Sequence, residues 1–238
     1  MRRRMRIFGT LLAAAGALTL LWAIVVWQWQ DPFTALYTVW KQHQLAGQYA
    51  RRATAFRTQE LPQASLVAER RGIAAEARRY QAETHRGEAI GKIIVPRMGV
   101  NMILVDGTDH ETLKMGPGRD LRTFMPGEDR LVYIAGHRTT YLAPFSNIDS
   151  MRRGDTITIK VPYGTFVYRA NGDRVVRADD LAVLRSPRHD LLILQACHPR
   201  FFATHRFLVY ARLVHVDPRG GQPYDLSAAG VTTQSRAK

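Results

Sequence analysis

A run of 23 residues without a charged side chain, residues 7–29, restricts most strongly how this chain can fold. About 20 apolar residues are enough for a helix to span a bilayer. Four arginines lie within the six residues before the run, and basic residues that flank a membrane span usually stay in the cytoplasm. The sequence therefore predicts a cytoplasmic basic segment at 1–6, a transmembrane helix at 7–29, and an extracellular remainder.

A cleaved signal peptide is the alternative for this segment. The apolar region of a signal peptide has about 7–15 residues and ends at a cleavage site of small residues. Here the apolar run is longer and ends in WQWQD. Trp22, Trp27 and Trp29 lie in its outer half, as tryptophans of a membrane interface do. These features favour an uncleaved anchor in a lipid bilayer.

The charge and the cysteine count exclude several classes of protein. Lys and Arg number 34 against 20 Asp and Glu, so the formal net charge is +14, which favours an anionic neighbour. No zinc-finger or RNA-binding signature accompanies this charge, and nucleic acid is therefore not a predicted partner. Cys197 is the one cysteine, so neither an intrachain disulfide nor a cysteine zinc cluster can form. No metal or cofactor is predicted.

Residues 31–86 have the composition of a helical linker. Asp31 and Pro32 are suited to begin a helix, and Pro62 is expected to divide the linker in two. Apolar residues recur at helical spacing, namely Phe33, Leu36, Tyr37, Trp40, Leu45, Tyr49, Phe56, Ile73, Ala77 and Tyr80. The linker is either a docking stalk or a spacer that buries this stripe on the following domain. Burial is the commoner use of such a stripe and is the favoured interpretation.

After Gly87 the sequence pattern changes to short runs rich in residues that favour β-strands. These runs are IGKIIVP, MILVD, LVYIAG, DTITIKV, TFVYRA, RVVRA, LLILQA and RFLVYARLVHV. Many short strands with turn residues between them, and without long helices, predict an all-β sandwich or barrel. We assign residues 88–217 to this β domain. The tail at 218–238 has little apolar surface to bury and is predicted to be disordered.

Cys197 is the first candidate for chemistry. It follows the strand LLILQA and precedes His198 and Pro199, so it lies at a strand end, where side chains can face a cleft. A lone cysteine is more often a buried apolar residue than a nucleophile. An exposed idle thiol would be oxidised outside the cell, however, which favours a functional role.

A cysteine nucleophile needs a basic partner, and a group that stabilises the oxyanion completes the site. His137 follows the strand LVYIAG, whereas His198 points to the opposite strand face from Cys197. If RFLVYARL pairs beside LLILQA, Arg206 would face the Cys197 end and could donate two hydrogen bonds. A hydrogen-bonded loop histidine and a surface arginine remain the alternatives for His137 and Arg206.

Taken together, these residues resemble a known family. The segment from Ile90 to Leu213 is similar to sortases. The matching stretches are IGKIIVPRMGVNMILVDGT, GPG at Gly116, PG at Pro126, AGHRTTYLAPFSNIDSMRRGDTITI and LLILQACHPRFFATHRFLVYARL. A His after one strand, a Cys after a later strand and an Arg nine residues beyond form the specific part of the match. The strings GHRTTY and APF are most similar to the class E, LAXTG-reading type of actinobacteria.

The resemblance implies an eight-stranded β-barrel with Cys197 as nucleophile, His137 as general acid and base, and Arg206 as the stabilising group. It further implies cleavage of the Thr–Gly bond of a C-terminal sorting signal on surface proteins. A thioacyl enzyme would then be resolved by an amine of a cell-wall precursor or by a pilin lysine. Thr139 and Tyr141 are expected to line the signal pocket.

Ala196 departs from the family pattern, since sortases commonly have Thr before the Cys. We expect position 196 to contribute to substrate binding, with a changed signal preference or rate. Two rival functions stay open at this point. One is a hydrolytic cysteine peptidase with the same three residues. The other is a catalytically silent β module that binds sorting signals or scaffolds pili.

Overall fold

The computed structural model describes residues 2–29, 32–59 and 65–226. Its helices are α1 (Arg2–Trp29), α2 (Pro32–Ala55), α3 (Leu66–Ala82) and the short α4 (His110–Leu113). Ser65 caps α3, because its Oγ accepts the backbone N–H of Ala68 at 3.2 Å. The predicted cap at Asp31 and the predicted break at Pro62 lie outside the described residues.

The β region folds into a closed barrel. Its strands are β1 (Ala89–Val95), β2 (Val100–Asp106), β3 (Gly118–Arg119), β4 (Leu131–Ala135), β5 (Thr156–Val161), β6 (Gly164–Arg177), β7 (Leu191–His198), β8 (His205–Pro218) and β9 (Tyr224–Asp225). The order is β6-β5-β1-β2-β3-β4-β7-β8, and a β6–β8 pairing closes the ring, with β9 added outside β8. The predicted eight-stranded barrel is confirmed.

Alternation along β7 separates the barrel interior from an outer face. Leu192, Leu194 and Ala196 are buried in the main core inside the barrel. Ile193 belongs to a smaller apolar cluster on the other face. Successive side chains of a strand point to opposite faces, so Cys197 lies on the outer face with Ile193. The register of β7 thus decides which residues can reach a ligand.

The linker helices are fastened to the barrel. Gln42 of α2 donates to the carbonyl oxygens of Ile103 and Met115 at 3.1 and 2.8 Å and accepts the N–H of Ile103 at 2.7 Å. Tyr80 of α3 donates to the Ile90 carbonyl at 2.9 Å. Part of the predicted apolar stripe is buried, namely Leu45, Phe56, Ile73, Ala77 and Tyr80. These residues fit the spacer interpretation, whereas Leu36 and Trp40 of the same stripe are exposed.

Two details of the prediction were wrong. The runs TFVYRA and RVVRA are one strand, β6, which continues through Asn171–Asp173 with a bulge opposite β8 instead of turning. The tail that was expected to be disordered from residue 218 is ordered further, because Tyr224 pairs with Val216 and packs against the core. Residues 227–238 of that tail lie outside the described residues.

Helix α1 has the length and composition of a membrane span. The candidate segment is Arg2–Ile24, with a mean hydropathy of 2.0. Side chains of α1 such as Leu11 and Leu18 are largely exposed. The exposed, apolar side chains described for α1 are of the kind that a bilayer covers.

Candidate active site

The candidate site lies at the ends of two neighbouring parallel strands. β4 and β7 pair from Leu131 with Leu191 to Ala135 with Gln195. The pairing extends one residue further, because the N–H of Gly136 donates to the Gln195 carbonyl at 3.0 Å. His137 and Cys197 each follow the Ala135 and Gln195 pair by two residues. Two residues far apart in sequence therefore lie at the same edge of the barrel.

Gly136 lets β4 end tightly against the core. A Cβ at this position would approach the ring of Phe145 to 2.8 Å, closer than side chains tolerate. The N–H of Phe145 in turn donates to the carbonyl of His137 at 3.0 Å. The loop 137–145 is thereby closed on itself, with His137 at its base.

Cys197 and Arg206 are direct partners across the antiparallel pair β7 and β8. The predicted pairing of these two strands is therefore confirmed. Both side chains line a cleft of about 210 Å³ on the outer face of the barrel. Its other walls come from the β2–β3 segment, from β4 and from the β6–β7 connection; they include Thr108, Leu113, Asp120, Tyr133, Val176, Leu181, Leu184 and Gln195.

The guanidinium of Arg206 lies at the rim of this cleft. Its Nη1 donates to the backbone carbonyl oxygens of Ala203 at 2.7 Å and His205 at 3.0 Å. Both partners are neutral carbonyl groups of the β7–β8 connection. A guanidinium has five N–H donors in a planar fork, so donors remain for a ligand in the cleft beside Cys197.

His137 is held in a partly buried, cationic environment. Its ring centroid lies 5.1 Å from that of Tyr141 and 6.2 Å from that of His110. Burial, and then the charges of His110 and Lys114, lower the pKa of His137 below its ordinary value. Nε2 of His137 is buried and has no hydrogen-bond partner among the described residues. A neutral imidazole with an unused nitrogen can take up a proton.

The linker helix reaches this side of the site. The N–H of Tyr141 donates to Oγ1 of Thr34 in α2 at 3.1 Å, and the Tyr37 ring lies 6.4 Å from the Tyr141 ring. Tyr141, Leu142 and Ala143 all have positive φ, at 54°, 61° and 38°, a conformation that costs energy in residues with side chains. Contacts with α2 and the core hold the loop in this shape.

Arg138 connects the His137 loop with the end of β7, and it was not among the residues predicted for the site. Its Nη1 donates to the Cys197 carbonyl at 3.3 Å and to Nδ1 of His198 at 2.9 Å. Its Nη2 donates to Asp149 at 2.6 Å, and the side chain is buried. The residue that follows His137 in sequence thus forms a hydrogen bond with the backbone of Cys197. Its place directly after His137, at a predicted strand end, was the available signal in the sequence.

The remaining predicted site residues differ in how close they lie to the cleft and to His137. Thr139 is half-buried in the loop after His137 and is not among the residues that line the cleft. Tyr141 packs on His137. Ala196 is fully buried in the barrel interior, on the opposite strand face from Cys197. The position of Ala196 does not support its predicted contact with substrate, because its methyl group points into the core.

Comparisons with known proteins identify the class to which this barrel and this strand-end site belong. Residues 93–214 match the family model described as the Sortase domain, just over half of the 238-residue chain. The chain therefore belongs to the sortase family, a family of transpeptidases.

Individual relatives come from more than one sortase class. Sortase D of Bacillus subtilis is 27% identical over 139 residues, which cover 57% of this chain and 68% of the relative. Sortase SrtE1 of Streptomyces coelicolor is 25% identical over 166 residues, which cover 63% of this chain but 47% of the relative. The structure of sortase E from Streptomyces avermitilis is 28% identical with a TM-score of 0.51, and the match covers 56% of this chain and 93% of that one.

Proposed function

We propose that this chain is a membrane-anchored cysteine transpeptidase that cleaves a C-terminal sorting signal and joins it to an amine. The observation that carries the proposal is the pairing of Cys197 with Arg206 in one cleft, beside the strand end that bears His137. A nucleophile, a base and an oxyanion donor in one place are the requirements of acyl transfer.

The proposed roles of the three residues imply an order of steps. Neutral His137 takes the proton of the Cys197 thiol, and Sγ attacks the carbonyl carbon of the Thr–Gly bond. Arg206 donates hydrogen bonds to the oxyanion that forms. His137 then gives its proton to the departing glycine amine, which leaves a thioester on Cys197. An acceptor amine attacks this thioester, loses a proton to His137, and the thiol is regenerated.

The substrate partners follow from this chemistry and from the family. They are surface proteins that carry a C-terminal sorting signal, together with an amine of a cell-wall precursor or a pilin lysine. We propose the class E, LAXTG-reading type, which the string GHRTTY and the two Streptomyces relatives support. Sortase D of Bacillus subtilis is a relative as well, so an LPXTG peptide is the necessary comparison.

The cellular arrangement is also a proposal. Residues 1–6 would lie in the cytoplasm, 7–29 in the membrane, 31–86 in the linker and 88–217 in the extracellular catalytic domain. Because Cys197 is the one cysteine, a membrane-impermeant maleimide tests the orientation in intact cells. Labelling of Cys197 without lysis supports the arrangement, and labelling only after lysis contradicts it.

Product analysis tests the activity. The full chain is incubated with LAXTG and LPXTG peptides in competition, with and without a glycine-based amine, and the products are identified by mass spectrometry. We expect an amide product from the LAXTG peptide that requires the amine and is absent with Cys197→Ala. Hydrolysis alone, unaffected by the amine, would indicate a peptidase. Binding of the peptide without cleavage would indicate a silent module.

A further inference from the structure

The first turns of α2 expose a continuous apolar face. Leu36, Val39 and Trp40 keep 74%, 53% and 53% of their surface exposed, and Tyr37 keeps 38%. We call these four residues the α2 apolar face. Isolated exposed apolar residues are common on proteins, but four of them on two helical turns form a patch that marks an interaction surface.

The opposite side of the same turns is already occupied. Thr38 is fully buried, and its hydroxyl donates to the Lys114 carbonyl at 2.9 Å. One turn later Gln42 makes its three hydrogen bonds with Ile103 and Met115. The helix therefore cannot rotate to bury the α2 apolar face on the barrel.

The position of the patch in the chain indicates what covers it. Helix α1, which contains the candidate span Arg2–Ile24, ends at Trp29, and α2 begins at Pro32. Three residues reach at most about 10 Å, and a helix rises 1.5 Å per residue. The α2 apolar face is thus held within roughly 20 Å of the end of α1, which continues five residues past the candidate span toward the polar interface of the bilayer.

The chemistry of the patch fits that interface. Tryptophan and tyrosine concentrate at the boundary between hydrocarbon and water. The ammonium of Lys41 lies 4.7 Å from the Trp40 ring centroid, and a lysine can extend from an apolar surface to reach charged headgroups. Aromatic, aliphatic and cationic groups on one side of a helix are typical of a segment that lies on a membrane.

We infer that the α2 apolar face docks into the headgroup region of the same bilayer that holds α1. The inference rests on the proposed membrane anchor. The buried side of these turns holds Tyr141 through Thr34, and Tyr141 packs on His137. Docking of α2 therefore fixes the His137 side of the active site at the membrane surface.

Spin labels in lipid nanodiscs test this inference. In the full chain, Cys197→Ala removes the native thiol, and Leu18→Cys, Leu36→Cys, Trp40→Cys and Ala50→Cys each add one label site. Ala50 is the matched control, because it is exposed on the same helix about 15 Å beyond Trp40. Collision of each label with oxygen, which enters lipid, is compared with collision with a water-soluble nickel chelate, at fewer than one protein per disc.

We expect the oxygen-to-nickel ratio at 36 and 40 to be several-fold higher than at 50, and highest at 18. Values at 36 and 40 equal to the value at 50, with 18 still in lipid, would overturn the docking and leave the anchor intact. An aqueous label at 18 would overturn the anchor as well. Protection of 36 and 40 that requires two proteins per disc would assign the face to a second copy and also overturn the inference.

Discussion

The two ends of the parallel strand pair β4 and β7 bury ionisable groups of opposite kinds. At the carboxyl ends lie His137 and Arg138, beside Cys197. At the amino ends Asp129 precedes β4 and Asp190 directly precedes β7. Each end has a buried atom without a hydrogen-bond partner among the described residues, Nε2 of His137 and Oδ1 of Asp190.

The electrostatics of the two ends obey the same rule. Burial, together with nearby Asp129, raises the pKa of Asp190 to about 8, and Arg70 of α3 opposes that shift while contacting both carboxylates. Burial lowers the pKa of His137. Both groups are thus driven to their neutral forms. A shifted pKa does not distinguish the two ends, but at the carboxyl end a thiol, that of Cys197, shares a cleft with the guanidinium of Arg206.

The largest expected difference between the two strand ends is the effect of a substitution there on the rate of acyl transfer. His137→Ala should lower the rate of acyl transfer by about 10²–10⁴-fold, because it removes the proposed general acid and base. Asp190→Asn should leave the rate close to that of the wild type. Steady-state assays with the peptide and the amine check both variants. A similar loss of activity in the two variants would contradict the assignment of catalysis to the carboxyl ends of β4 and β7.

Arg206→Ala should lower the rate by about 10²–10³-fold if this side chain stabilises the oxyanion. Arg206→Lys should restore little of that loss, because an ammonium lacks the planar fork. The rate of thioester formation in a single turnover is the measurement. Near-normal acylation by Arg206→Ala would reassign the role, and neighbouring His205 would be the first candidate.

Arg138 tests whether the carboxyl end depends on positioning. Arg138→Ala removes the link from the His137 loop to the Cys197 carbonyl and should slow acylation on the order of 10–10²-fold, since small displacements are costly in catalysis. We expect kcat to fall with little change in KM, and guanidinium ion to restore part of the rate.

Asp149→Asn is the matched control for Arg138, because it alters only the half-exposed partner of the same side chain and should have a small effect. The midpoint of thermal unfolding is measured for both variants in parallel, and both variants should unfold well above the temperature of the assay. A lower midpoint for Arg138→Ala with unchanged kcat would make Arg138 a purely structural residue.

At the amino end, Asp190 should affect the free energy of unfolding, and it should do so within a defined pH range. The pKa of Asp190 is about 8 in the folded state against about 3.9 in an unfolded chain. The folded state therefore holds an extra proton between these values, and its free energy of unfolding falls as the pH rises through that range. Asp190→Asn removes this dependence.

Thermal unfolding at pH 5 and pH 8 checks the effect. The midpoint of Asp190→Asn relative to the wild type should rise between the two pH values. Parallel midpoints in both proteins would mean that Asp190 is already ionised in the folded state.

Local patterns in the sequence predicted most of the barrel and the strand ends that carry Cys197 and His137. They failed where a distant contact decided the outcome. TFVYRA and RVVRA are separate β-rich runs with turn residues between them, yet pairing with the long strand β8 carries β6 through Asn171 and Gly172. The two-residue strand β3 forms because Gly118 and Arg119 fit between β2 and β4, which no local signal shows.

The details of the site depended on contacts of the same kind. Arg138 reaches Cys197 across 59 positions of sequence, and Thr34 reaches Tyr141 across 107. Periodicity could predict that α2 is a helix, but not which of its faces meets the barrel. The buried stripe was expected to include Leu36 and Trp40, and both are exposed because Thr38 and Gln42 form the contact instead.

The most direct test of the account is the covalent state of Cys197 during turnover. The full chain is mixed with an LAXTG peptide in the absence of an amine, quenched in acid, and analysed by intact and peptide mass spectrometry. The account predicts a mass increase on Cys197 equal to the free peptide fragment that ends in threonine less one water. This adduct should be sensitive to hydroxylamine and lost on addition of an amine. Amine-dependent product formation without any adduct on Cys197, or product formation by Cys197→Ala, would contradict it.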